Sequence, residues 1–232
     1  MPATFSVGKK WEWLSVFTLI AAGAAPAAGQ RYASGLREVR EMGTAGINLA
    51  IGAPTGDFAQ NVDAAGGFDA FAAVNLGAGS PMALRFEGAY LVYGSDHQFD
   101  LNTTYSIATF GFGPQVTLGE GPMRLYGFGT VGLSYISAYS SFRDGCGCYS
   151  YSQTDFSDWT SALQAGGGVL VTLGRRSSVS LDLGVRSLYS GFANYVAPGD
   201  VQPQPNGDVI VYTSRARPNL TMVHLGVSVA LR

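Results

Sequence analysis

Charge is scarce in this sequence, and one kind of charge vanishes early. Charged residues make up 13% of the 232 residues, where roughly 25% is usual. Lysine occurs only at Lys9 and Lys10; residues 30–232 contain none, and carry twelve arginines against fifteen carboxylates, a formal −3. So mild a balance gives no support for nucleic-acid binding through phosphate neutralisation. Cysteine and histidine number two each, and the Cys146-x-Cys148 pair has no histidine near it in sequence, a weak signal for a metal site. Beyond the first thirty residues no run of 18 apolar residues escapes a charge or several glycines, so no transmembrane helix is expected.

What is abundant is glycine, 32 residues, and aromatic side chains, at 12%. A disordered glycine-rich chain would be poor in aromatics; this one reads as ordered and in need of little surface charge.

The first 29 residues read as a signal peptide. A basic start (Lys9, Lys10) precedes the apolar, small-residue stretch "WLSVFTLIAAGAAPAA", with cleavage expected after Ala27 or Gly29. A membrane anchor is the competing reading, but the leucine-rich part is short and decays into Ala, Gly and Pro. Residues 30–43 form a polar lead-in, and residues 44–232 are expected to form one domain.

From residue 46 the pattern has period two, the mark of strands with two unlike faces. Eight strands are expected, at 46–53, 68–76, 82–93, 105–118, 123–135, 161–173, 179–189 and 221–232. Tight turns ("GAGSP", "GEGP", "GRRSS") follow strands two, four and six. Longer polar loops near 54–67, 94–104, 136–160 and 190–220 follow the others. Short turns at one end and long loops at the other are characteristic of outer-membrane barrels. The fold class expected is all-β, an eight-stranded antiparallel up-and-down transmembrane β-barrel.

That reading explains "MALRFEGAYLVYG" (82–94) and "VSLDLGVRSLY" (179–189), where charges interrupt apolar strands. In a membrane barrel the apolar face meets lipid and the polar face the lumen, which eight strands leave just wide enough for side chains to fill. Arg85, Glu87, Asp182 and Arg186 are therefore expected to pair inside, with Arg124, Gln164 and Asp69 as further partners, because an unpaired buried charge costs several kcal/mol. Inner-face glycines (Gly52, Gly166, Gly168, Gly184, Gly226) would leave them room. Tyr90, Tyr93, Tyr105, Tyr135 and Tyr189, near strand ends, are expected to form an interfacial girdle.

The stretches "LYGFGTVGLSY" (125–135), "LQAGGGVLVTLG" (163–174), "LDLGVRSLY" (181–189) and "HLGVSVALR" (224–232) resemble those of the small eight-stranded outer-membrane β-barrel proteins, the OmpA/OmpX-like group. The likeness covers about residues 44–232. It implies an assembly signal on the last strand, His224, Gly226, Val229 and Leu231, read by the barrel-assembly machinery; Arg232 stands where such strands end in an aromatic residue. It further implies outer-membrane lipid and lipopolysaccharide as surroundings.

Chemistry is thin. His97, in "GSDHQFD", reads as a solvated loop residue in preference to a metal or acid–base site. His224 reads as a lumen histidine in preference to the base of a lipid A hydrolase. Cys146 and Cys148 suggest a loop-tip disulfide in an oxidising envelope more than metal ligands. No catalysis, cofactor or metal is expected, and no nucleic-acid partner. The expected role is structural or surface-interactive, with the Tyr-, Ser- and Asp-rich loops as the contact for an extracellular ligand. A barrel enzyme acting on lipid and a narrow path for small apolar solutes are the alternatives.

Overall fold

Alternation of β-branched, aromatic and small residues at period two builds long strands, and the pleat sends the two sets of side chains to opposite faces. The computed structural model describes residues 41–77, 80–98, 101–119, 121–143, 150–174, 177–203 and 209–231. Eight long strands close into one antiparallel barrel: β1 (Gly43–Thr55), β2 (Ala65–Asn75), β3 (Met82–Gln98), β4 (Leu101–Leu118), β5 (Met123–Arg143), β6 (Ser150–Thr172), β7 (Val179–Ser190) and β12 (Asn219–Leu231). Each pairs with its neighbour in sequence, and β1 closes on β12 in register from Gly43↔Leu231 to Thr55↔Asn219. Short strands β8 (Ala193–Tyr195), β9 (Val201–Pro203), β10 (Val209–Val211) and β11 (Ser214–Ala216) form two ribbons, β8–β11 and β9–β10, between β7 and β12. Among the described residues no helix is long and apolar enough to cross a membrane.

The barrel is inside out relative to a soluble one. Along β7 exposed and buried residues alternate from Val179 to Ser190. Val179, Leu181, Leu183 and Val185 are on the exposed face; Asp182 and Arg186 are among the most buried residues of the chain. The same holds all round: Ile47, Leu49 and Ile51 on β1, Phe86 on β3, Phe110 and Phe112 on β4, Leu125 and Val131 on β5, Leu225 and Val227 on β12 all face outward and exposed. A continuous apolar belt around a polar interior is the transmembrane arrangement. In water it would be an aggregation surface many times the usual patch size.

At one end the connections are short, and glycine makes them so. Gly119 and Gly174 follow β4 and β6 with φ of 96° each, in the left-handed region that glycine adopts without a Cβ penalty. At the other end two stretches differ from the sequence reading. Residues 94–104 and 136–160 were expected to be long loops, yet β3, β4, β5 and β6 run on through most of them, with β4 and β5 in register from Leu101↔Phe142. Polar side chains here pair with one another across the ladder: Thr103 with Ser140 at 2.8 Å and Ser106 with Ser137 at 3.0 Å, oxygen to oxygen, with Thr103, Ser106 and Ser140 buried. Pro114 faces outward within β4, where the β4–β5 register skips from Phe112↔Val131 to Gln115↔Phe128. A residue with no N–H leaves such a gap.

Candidate functional site: a lumen sealed in two tiers

The barrel interior divides by height. In the half nearer the short turns it is polar, and in the half nearer the long connections it is apolar.

The polar tier is built by residues that alternation turns inward. Arg85 donates through Nε to Glu87 Oε2 at 2.8 Å and through Nη1 to Gln115 Oε1 at 2.9 Å. Its guanidinium carbon lies 3.9 Å from the Phe71 ring centre and 4.2 Å from that of Phe128, so quadrupole attraction adds to the ion pair in a buried site. Thr130 Oγ1 donates to the other Glu87 oxygen at 2.5 Å. Arg186 Nη2 meets Asp69 Oδ2 at 2.6 Å and Nη1 stands 3.9 Å from Glu87; Asn48 Nδ2 donates to Asp69 Oδ1 at 3.0 Å. Tyr126 donates its hydroxyl hydrogen to Asp182 Oδ1 at 2.7 Å, and His224 Nε2 lies 2.9 Å from the same hydroxyl oxygen. Since that hydroxyl gives its only hydrogen to the carboxylate, His224 must carry a hydrogen on Nε2. Two arginines thus face three carboxylates, with Tyr126 and His224 serving the third.

Space for these side chains comes from missing ones. A Cβ on Gly166 would stand 2.6 Å from Arg186 Cβ, one on Gly168 would stand 2.8 Å from the Tyr126 hydroxyl, and one on Gly184 would stand 2.6 Å from His224 Nε2.

Of the residues singled out in the sequence, Arg85, Glu87, Asp182 and Arg186 lie together in this tier. Gln164 is buried nearby, and no hydrogen bond reaches its Oε1 among the described residues. Arg124 lies apart, half-exposed at the short-turn end, where Nη1 donates to Glu41 Oε2 at 2.9 Å. His224 and Gly226 line the lumen side of β12 while Val229 and Leu231 face outward. Cys146 and Cys148 lie outside the described residues. His97 is exposed, and no group of three or more metal-ligating side chains occurs among the described residues. The sequence reading missed Asn48, Gln115, Tyr126 and Thr130. Counting inward by twos from Arg124 reaches Tyr126 and Thr130, so the signal was present.

The apolar tier begins with Leu91, Ile107, Ile136, Leu188, Leu220 and Met222, all nearly or fully buried. Above them the mouth is covered. Phe58, on the 3-10 helix Gly56–Gln60, is fully buried with its ring centre 5.4 Å from Tyr93 and 5.0 Å from Tyr195. Tyr93 donates to the Val196 carbonyl at 3.0 Å, and Asn61 Nδ2 donates to the Tyr195 hydroxyl at 2.7 Å. Asp96 accepts from the Tyr105 hydroxyl at 3.0 Å and from the Gly199 N–H. Tyr93 and Tyr105 are therefore lid anchors inside the barrel, which corrects their placement in an interfacial girdle. Both have the parity of inward residues on their strands. Tyr90 and Tyr189 do face outward, and Tyr135 packs on Trp159 with ring centres 4.7 Å apart.

His224 is 2% exposed within the lumen, and its hydroxyl neighbour is a tyrosine held by Asp182. A hydrolase nucleophile is not assembled around it among the described residues.

No protein-family model matches the sequence, nor does any curated protein sequence. Solved structures do show similarity. Neisserial surface protein A is 15% identical, over 84% of this chain and 100% of that one, with a TM-score of 0.49. Ail, the attachment invasion locus protein of Yersinia pestis, in complex with the heparin analogue sucrose octasulfate, is 13% identical over 81% and 97% of the two chains, TM-score 0.42. A major outer membrane protein from Thermus thermophilus is 13% identical over 80% and 98%, TM-score 0.46.

Proposed function

We propose that this eight-stranded transmembrane barrel is a non-catalytic component of a bacterial outer membrane that presents a rigid sheet for surface interaction. Export by residues 1–29 and recognition of β12 by the assembly machinery belong to the same reading. The observation that carries it is unequal strand length. β7 has 12 residues, whereas β3, β4, β5 and β6 have 17, 18, 21 and 23. The last outward aliphatic residue on β5 is Leu133, and beyond it the outward rings are Tyr135 and the exposed Tyr139. At about 3.3 Å per residue, the stretch from Ile136 to Arg143 carries the β5–β6 hairpin on the order of 25 Å further. Its backbone is paired through Arg143↔Ser150, so the strands form a platform that a partner meets at little cost in backbone ordering. What weighs against a transport role is that the lower tier is crossed by ion pairs and the upper tier is packed with apolar side chains.

The test removes residues 139–155 and joins Ala138 to Phe156 by an Asn-Gly turn, a two-residue connection suited to hairpins. Cells displaying the full chain should attach to at least one surface in a panel of immobilised glycans and matrix proteins. The shortened barrel should keep its heat-dependent gel mobility and lose that attachment. Equal attachment by both forms would contradict the proposal.

A further inference from the structure

On the outer wall, β7 ends at Ser190 while β6 continues past Ala162, and the chain turns outward through Gly191 and Phe192. This step leaves a cleft of about 460 Å³. Its floor is the exposed apolar wall of Val131, Leu163 and Tyr189, and its lip is Phe192 with Arg217. The Arg217 guanidinium carbon lies 4.4 Å from the Phe192 ring centre, and that of Arg215 lies 5.8 Å away. Both arginines are exposed, and neither forms a salt bridge among the described residues. Asp158, at the same end of β6, is occupied: its oxygens accept from the backbone N–H of Trp159 and Asn194, each at 2.8 Å, and from Asn194 Nδ2 at 3.2 Å.

The height of the cleft identifies its occupant. Leu163 belongs to the lipid-facing belt, whereas Tyr135 and Trp159, a short way further along, form the aromatic pair expected at headgroup level. The cleft spans that boundary at the long-connection end of the barrel, the end that faces outside in this class. An apolar floor running into lipid, with two unpaired guanidinium forks at the rim, suits a molecule with acyl chains below and phosphate above. Arginine binds phosphate in a bidentate fork–fork geometry. The geometry points to a docking site for a phosphorylated glycolipid of the outer leaflet, of the lipid A class, with its phosphate held by Arg217 and Arg215 and its acyl part on Leu163 and Val131. This assignment rests on the outer-membrane reading above.

The full chain, extracted in detergent, is first reconstituted into phosphatidylcholine vesicles and checked for heat-dependent mobility. It is then titrated with diphosphoryl lipid A and with its dephosphorylated form, and bound lipid is read by native mass spectrometry. Loss of two charge-assisted contacts should be visible as an affinity about tenfold or more lower for the dephosphorylated lipid. Arg215→Gln with Arg217→Gln should erase that preference, and Arg124→Gln, at the opposite end, should retain it. Equal binding of the two lipids by the unaltered chain would overturn the site. So would a preference that survives the double substitution, or one lost equally in Arg124→Gln. A chain that does not insert into vesicles at all overturns the outer-membrane reading and the site with it, whereas an inserted chain without phosphate preference overturns the site alone.

Discussion

Arg186 on β7 and Asp69 on β2 meet at 2.6 Å with both side chains shut off from solvent. Their strands flank the β1–β12 pair that closes the barrel, so this ion pair spans the seam where the two ends of the sheet join. Replacing Arg186 by Met leaves Asp69 charged and buried, which costs about 3–5 kcal/mol. Urea unfolding of the reconstituted barrel should show that loss. The double variant Arg186→Met, Asp69→Leu should recover much of it, and a cycle with no coupling between the two sites would refute the pairing.

Tyr126 is the hinge of the second cluster, donating to Asp182 and facing His224 Nε2. Tyr126→Phe keeps the ring that stacks on Phe128, at 6.2 Å between centres, and removes only the hydroxyl. A buried carboxylate then lacks its donor, and the expected cost is about 1–3 kcal/mol. An unchanged unfolding midpoint would show that Asp182 is satisfied by other means.

Two lumen glycines should respond differently to alanine. At Gly168 the added carbon meets the Leu183 carbonyl and the Tyr126 hydroxyl, fixed groups in the ladder and the network. At Gly52 its nearest neighbour is Met222 Cγ at 2.8 Å, the middle of a flexible side chain. Gly168→Ala should lower stability by about 1–3 kcal/mol, and Gly52→Ala should change it much less. Comparable losses at both positions would argue against a space-making role for Gly168.

The lid should open without the barrel. Phe58→Ala empties a fully buried site between Tyr93 and Tyr195, and deletions of this size cost about 3–5 kcal/mol. Because the loss falls on segment 191–218 in preference to the closed sheet, limited proteolysis should cut there first while gel mobility persists. Simultaneous loss of both would mean lid and barrel fold as one unit.

Arg124 provides the contrast to Arg186. Its pair with Glu41 sits at the barrel end partly open to solvent, with the two side chains 19% and 39% exposed, and pairs screened in this way contribute about 0–1 kcal/mol. Arg124→Ala should therefore leave the unfolding midpoint almost unmoved.

Strand number, the lipid-facing set and the inward charges were legible because period two is a local property of the chain. Arg85 and Glu87 between Leu84 and Phe86 need no tertiary information to be assigned a face. Partners were less legible: Asn48 reaches Asp69, and Thr130 reaches Glu87, only through barrel closure and register. The upper ends of β3 to β6 were misread for a definite reason. Polar side chains pair across the ladder there, and Thr103, Ser106, Ser137 and Ser140 resemble loop residues until that pairing is seen. Tyr93 and Tyr105 followed from the same lapse, since composition suggested a girdle where parity pointed inward. The lid depends on Phe58 finding Tyr195, a long-range contact that no local pattern encodes.

The central claim is that the apolar face of the barrel meets lipid, and Leu183, 52% exposed beside the buried Asp182, tests it most directly. Residues 30–232 contain a single tryptophan, Trp159. Residues 30–232 with Trp159→Phe and Leu183→Trp would be reconstituted in lipid brominated along the acyl chain, and its fluorescence compared with that in unbrominated lipid. The account predicts strong quenching, because the indole lies among acyl chains. Emission untouched by bromine would contradict it and turn the apolar face back toward a protein core.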